Sequence, residues 1–283
     1  MTTLWPEQTE IVPLPAVAGD RPEPTWRYGV VLEHRPVSAR YRYLRLHLPE
    51  IARPAQPGQF VMITVGRPGE VGPVLPRPMA IYASNAAGTE LAVVYGVVGQ
   101  GTRALASFVE QGRLLTVGPL GQGFRVEPGT RRTLLIGRGI GTCSLTLLAQ
   151  HNAGRGIETV AVVSGRDDTA LIGGELYRRQ PGTRVVEVTD TAGTSDVRSL
   201  WDRLTADLDD DPPEQIFTCG SRRLARLSAG LGRRWRAGVQ VSLEANMACG
   251  IGYCHGCAAG SGATGRESPL ICVDGPVFAL GER

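Results

Sequence analysis

The chain has 283 residues, 42% hydrophobic and 20% charged, which is the balance of a soluble globular protein too long for one ordinary core. The net charge is only +3 and all 30 basic residues are arginine, a coding bias rather than a nucleic-acid surface; no run approaches the roughly 18 apolar residues of a membrane span. The N-terminus lacks a charged-then-apolar layout, so the cytoplasm is the expected compartment, and there six cysteines do not make a disulfide framework.

Residues 1–25 are proline-rich and without periodicity, and read as an N-terminal arm. From 26 to 126 short β-rich runs alternate with Gly and Pro: "RYGVVLEHRPV", "YRYLRLHLP", "GQFVMITVG", "MAIYAS" and "ELAVVYGVV". One helical stretch, "GTRALASFVEQ", interrupts them. Short strands at near-even spacing predict an antiparallel β-barrel.

From 127 to 240 the rhythm becomes strand, helix, strand, helix. "RTLLIG", "ETVAVVSG", "TRVVEVTD", "EQIFTCG" and "VQVSLE" read as strands; "TCSLTLLAQHNA", "DTALIGGELYRRQ", "SDVRSLWDRL" and "RRLARLSAGL" read as helices. That alternation predicts an α/β domain with a parallel sheet, whose ligands sit past the carboxyl ends of its strands. The densest basic stretch, "RRLARLSAGLGRRWR" (222–236), reads as a solvated helix face.

Residues 241–283 hold four of the six cysteines. Cys249, Cys254 and Cys257 follow C-x4-C-x2-C, and Cys272 comes fourteen intervening residues later. That is the plant-type spacing for a 2Fe–2S cluster held by four thiolates. Gly250, Gly252 and Gly256 would let the loop fold back and turn backbone N–H groups toward the sulfurs. Zinc is the competing occupant, but a structural zinc site usually presents two close cysteine pairs, and Cys272 stands alone. His255 reads as a loop residue, since Rieske-type ligation needs two histidines.

Three further motifs, "LPRPMAIY", "VVYGVVGQGTRAL" and "VGPLGQGF", precede "SLEANMACGIGYCHGC…LICVDGPVF" in order. With them, residues 26–283 resemble the iron–sulfur flavoprotein electron-transfer subunit family of dihydroorotate dehydrogenase, within the ferredoxin–NADP reductase superfamily. The resemblance implies FAD in the barrel. Arg77 would neutralise the pyrophosphate, in a strand with Pro78, Met79 and Ala80. Val94, Tyr95 and Gly96 would lie along the flavin or its ribityl chain, and Gly101 and Thr102 would offer backbone N–H groups to phosphate.

It also implies a site for NAD(P)H at Gly137, Gly139 and Gly141 of "LLIGRGIGTCSL" and at Cys219 and Gly220 of "IFTCGS". A G-x-G-x-G run alone is also what a tight strand-to-helix turn uses without any ligand. The family further implies an FMN-containing catalytic partner in a heterotetramer, with electrons passing between that partner and NAD(H) through the cluster and FAD. The chain departs from the family at Ala80 and Gly96, at Thr142–Ser144, and at Ser221. Those departures leave two alternatives: the same relay serving another oxidoreductase, or a non-redox scaffold with a zinc tail.

Overall fold

The computed structural model describes residues 9–15, 22–66, 72–259 and 268–282. Much of the expected arm therefore lies outside the described residues. Its described part contains a strand, β1 (Thr9–Pro13).

The barrel strands follow as β2 (Thr25–Pro36), β3 (Tyr41–His47), β4 (Phe60–Ile63), β5 (Arg77–Ala80), β6 (Ala83–Ser84), β7 (Glu90–Gly96) and β8 (Arg113–Leu120). They form one antiparallel sheet in the order β5-β4-β8-β2-β3-β7-β6, curled into a half-barrel. Its inner face is apolar: Val31, Leu44, Leu46, Val61, Ile63, Leu91 and Val93 are all fully buried. In β3 and its partner β7 the register sets Leu44 opposite Val93 and Leu46 opposite Leu91, so alternation delivers one greasy face. Two short helices, α1 (Pro49–Ala52) and α2 (Gln100–Ala106), connect the strands. The helix expected over 101–111 is thus one residue earlier and much shorter, because Val109–Gly112 turns back into β8.

The second sheet contains β9 (Arg132–Arg138), β10 (Glu158–Gly165), β11 (Thr183–Thr189), β12 (Gln215–Cys219), β13 (Gly238–Ser242) and β14 (Val277–Glu282), with β1 at one edge. Strands β9 to β13 are parallel, in the order β13-β12-β9-β10-β11. Helices α3 (Thr146–Gly154), α4 (Gly174–Arg178), α5 (Val197–Leu208) and α6 (Arg222–Trp235) link them. Alternate side chains of these strands feed two apolar layers. Leu134, Ile136, Val162, Leu204 and Leu227 lie in one, and Leu135, Ala161, Val163, Leu148 and Phe217 in the other. Burial on both faces is what a continuous apolar run such as "TLLIG" requires.

Two details depart from the sequence reading. Helix α4 has only five residues, since Gly173 sits in the left-handed region (φ 86°) and stops the expected helix from starting earlier. The C-terminal residues 277–282 end the expected cluster segment in a strand. They form β14, antiparallel to both β13 and β1, so "VFALGE" closes the parallel sheet.

The chain divides into two compact units. Glu244–Pro276, with the cysteines, groups with the half-barrel, whereas Phe124–Leu243 and the terminal strands form the other unit. Among the described residues no helix is long and apolar enough to cross a membrane.

Candidate functional site

The cysteine segment is a small hairpin pinned at its base. Ala259 N–H donates to Pro269 O (2.8 Å) and Ile271 N–H to Cys257 O (3.1 Å), which brings Cys257 beside Cys272. Their sulfurs are 3.2 Å apart and both residues are buried. A tight turn holds Cys272: Val273 and Asp274 N–H both donate to Leu270 O, and Leu270 N–H donates to Asp274 Oδ2 (2.6 Å).

Cys249 and Cys254 form the second pair, at the open end of the loop. Cys254 is exposed and Cys249 half-buried. Backbone donors reach the sulfurs, as the glycine-rich loop predicts: Gly252 N–H lies 3.2 Å from Cys272 Sγ, Cys254 N–H 3.4 Å from Cys249 Sγ, and Cys272 N–H 3.5 Å from Cys257 Sγ. Gly252 has φ 86°, and a Cβ on it would stand 2.7 Å from Val273 Cγ2. His255 also has positive φ (56°), the conformation of a turn residue.

Electrostatics differ between the pairs. At Cys249 burial raises the thiol, but the N–H groups of Cys254, Ile251 and Tyr253 and the Cys254 thiol outweigh it and bring it down to about 7. At Cys272 burial, and then the hydrogen bond and charge of Cys257, push the thiol up to about 12. Among the described residues no three His, Cys, Asp or Glu side chains converge as one ion would need. Two thiol pairs match the four-thiolate donor set of a two-iron cluster rather than that of a single ion. The residues fit a two-iron cluster better than zinc.

In the half-barrel, Arg77 opens β5 and leans on the first turn of α2. A Cβ on Gly101 would lie 1.9 Å from Arg77 Nε, so only glycine lets the guanidinium reach that helix start. The first-turn N–H groups of α2 have no intrahelical acceptor, as at any helix start. Thr102 Oγ1 accepts from Val98 N–H (2.9 Å) and Gly99 N–H (3.0 Å) and donates to Gly99 O, which fixes the loop. Beside these donors Val98 is 87% exposed, an apolar surface next to a cationic one. Apolar and phosphate-directed groups side by side are what a flavin dinucleotide needs, and the residues fit it.

Pro78 and Ala80 are half-buried on β5, opposite Met62 and Phe60, and Met79 is buried. Val94 and Tyr95, on opposite faces of β7, are both buried, while Gly96 is partly open. The partner of Tyr95 is distant in sequence and left no local signal. His34 Nδ1 faces Phe108 O at 2.7 Å and must carry the proton, so Nε2 accepts from Tyr95 Oη–H at 2.8 Å. Burial, chiefly, pushes Tyr95 up to about 12, and burial lowers His34, so both stay neutral near pH 7.

In the parallel sheet the glycines serve a chain crossing. A Cβ on Gly141 would meet Gly220 Cα at 2.5 Å, and one on Gly220 (φ 89°) would meet Arg138 O at 2.3 Å. Gly137 abuts Thr142 Cα in the same way, and Gly139 (φ 53°) starts the 3-10 turn Gly139–Leu145 that replaces the first third of the expected helix. Cys219 is buried at the end of β12. Ser221 caps α6 by accepting from Leu224 N–H (3.5 Å). Thr142 is buried, and its carbonyl accepts from Tyr177 Oη–H (2.9 Å).

The profile of the iron–sulfur cluster binding domain of dihydroorotate dehydrogenase B matches residues 244–282. The dihydroorotate dehydrogenase B (NAD(+)) electron transfer subunit of Bacillus cereus (strain Q1) is 32% identical over 259 residues, spanning 89% of this chain and 96% of that protein. The chain belongs to the dihydroorotate dehydrogenase B electron-transfer-subunit family. Members in Bacillus anthracis match equally well over the same extent.

Among solved structures, an NADH-dependent reduced ferredoxin–NADP oxidoreductase superposes with TM-score 0.71 at 23% identity, covering 89% of this chain and 88% of that one. The cytochrome b5 reductase domain of Ulva prolifera nitrate reductase superposes with TM-score 0.57 at 13% identity, covering 75% and 93%. These likenesses establish the ferredoxin-reductase fold. Family and fold together make the chain an electron-transfer subunit of an oxidoreductase.

Proposed function

We propose that this chain relays electrons between NAD(P)H and an FMN-containing catalytic subunit, through FAD in the half-barrel and a 2Fe–2S cluster in the cysteine hairpin. When bound, the flavin exchanges a hydride with nicotinamide and single electrons with the cluster, so it joins two-electron to one-electron chemistry. The observation that carries this reading is the meeting of four thiols in two pairs within one hairpin. Cys249 and Cys254 would hold one iron, and Cys257 and Cys272 the other.

The protein's own work is binding and tuning. Arg77 and the first turn of α2 take the flavin's phosphates, with Gly101 leaving the room. Val94, Tyr95 and Gly96 at the end of β7 flank the flavin, with Tyr95 held by His34. The N–H groups of Gly252, Cys254 and Cys272 stabilise negative charge on the sulfurs. Gly137, Gly139, Gly141, Cys219 and Gly220 shape the strand ends over which the nicotinamide dinucleotide lies. No acid, base or nucleophile is required of the chain.

The exposed end of the hairpin, with Ile251 (53% exposed) and Tyr253 (87% exposed) beside Cys254, is where the partner would approach. We place the assembly, a heterotetramer with two catalytic subunits, in the cytoplasm. Protein purified without air should show flavin and cluster absorption, with iron and acid-labile sulfide each near two per chain. A colourless, zinc-loaded protein would refute the relay. Co-purification then identifies the client, and full partner turnover by Cys249→Ser would refute transfer through the hairpin.

A further inference from the structure

One short strand, β4, stands between the flavin strand and the cysteine hairpin. Along one edge it is hydrogen-bonded to β5, with Phe60 opposite Ala80, Met62 opposite Pro78 and Ile63 opposite Arg77. Along the other it pairs with β8. All of β4 is buried, yet alternation sends its side chains to two different places. Val61 and Ile63 enter the apolar interior of the half-barrel, and Met62 turns to the opposite face.

That opposite face carries the start of the hairpin. Gly250, which follows Cys249 directly, is buried and has φ 72°. A Cβ on it would stand 2.6 Å from Met62 Cγ, 3.0 Å from Met62 Sδ and 3.4 Å from Leu120 Cδ1. The backbone beside the first thiol therefore rests on the Met62 side chain, as close as glycine allows.

The far end of the segment is fastened to the same region. Gln122 N–H donates to Gly275 O (2.5 Å). A Cβ on Gly121 would run into Pro276 Cδ and stand 3.0 Å from Phe60 Cε1. Phe60 and Met62 thus lie beside the two ends of the stretch from Gly250 to Pro276, and the same two residues face Ala80 and Pro78 across the ladder to β5.

We propose that Met62 is a positioning residue for electron transfer, holding the cluster hairpin at a fixed distance from the flavin strand. The backbone ladder ties β4 to β5, and the Met62 side chain seats the hairpin on β4, so the first thiol pair is referenced to the flavin strand through this contact. Electron tunnelling between bound groups falls steeply with distance, so a spacer governs the rate without touching a reacting atom. The proposal rests on the relay reading.

The test uses the purified holoprotein with neither nicotinamide nor partner. Light and a sacrificial tertiary amine, which is oxidised, reduce the flavin, and the passage of one electron to the cluster is followed as bleaching of the cluster's visible absorption. Met62→Ala should keep FAD and iron but pass the electron several-fold more slowly. The magnetic interaction between the one-electron-reduced flavin and the reduced cluster, read by electron paramagnetic resonance, should weaken in parallel. Met62→Leu, which conserves volume, should restore both. Ile63→Ala opens a comparable cavity on the other face of β4 and should leave both unchanged, which separates spacing from loss of stability. Should Met62→Ala not fold, Met62→Val removes less and reads the same change. Unaltered transfer and magnetic interaction in a folded Met62→Ala protein overturn the proposal and leave the relay intact. Equal slowing in Ile63→Ala, or loss of either cofactor from folded Met62→Ala, overturns it too. If flavin electrons never reach a cluster in the unaltered protein, the relay falls and this proposal with it.

Discussion

The cysteine hairpin and the glycine crossing of the parallel sheet are both short, glycine-rich and rigidly held, yet they use their residues in opposite ways. In the hairpin, glycines bend the chain so that backbone N–H groups meet sulfur. In the crossing, Gly141 and Gly220 are there because two backbones touch. One motif is defined by what its side chains bind, the other by side chains it must lack. A pattern of donors therefore predicts chemistry, whereas a pattern of absences predicts shape first.

That contrast can be broken by substitution. Cys272→Ser removes a buried thiol of the proposed cluster site, and the cluster's absorption and iron should be lost outright while flavin stays bound; retention of both irons would deny Cys272 its role. Gly141→Ala forces a Cβ against Gly220 Cα, and should cost roughly 2–4 kcal/mol, read as a lowered denaturation midpoint with the cluster spectrum unchanged. If it proves neutral, the crossing is looser than described.

Smaller effects sharpen the comparison. Arg77→Ala should weaken FAD binding by about 10- to 100-fold, measured by flavin release on dilution, without loss of iron. The smallest effect concerns acid. The Arg138 and Ser195 hydrogen bonds, with Arg223, hold the Asp190 carboxyl well below the usual carboxylate range, against a small opposing effect of burial. Its stabilisation is therefore complete above the unfolded value near 4 and lost as pH falls below it. Because the carboxylate is 39% exposed, Asp190→Asn should reduce stability at pH 7 by no more than about 1 kcal/mol and flatten its decline in acid. Equal acid sensitivity in the variant would remove Asp190 from that role.

The cysteine cluster was legible because its spacing alone groups four thiols, which the structure sets in two pairs. The barrel and the parallel sheet were legible because period-2 alternation and long apolar runs report burial on one face or two. What escaped depends on distant partners. "VFALGE" carries no local sign that it belongs with β13 and β1 rather than with the cysteines before it. The clasp of Arg138 on Asp190 joins residues 52 apart, and the tie of Tyr95 to His34 joins residues 61 apart. The shortened α4 is a local matter, and Gly173 was there to be read.

One consequence follows from the ladder between β1 and β14. Thr9 faces Glu282, so the earliest described strand finds its neighbour only in the latest. During synthesis β1 must wait, unpaired, until almost everything else has emerged, and it then covers β14 and itself becomes the edge strand. A version clipped after Pro276 would keep every cysteine and still be prone to clump.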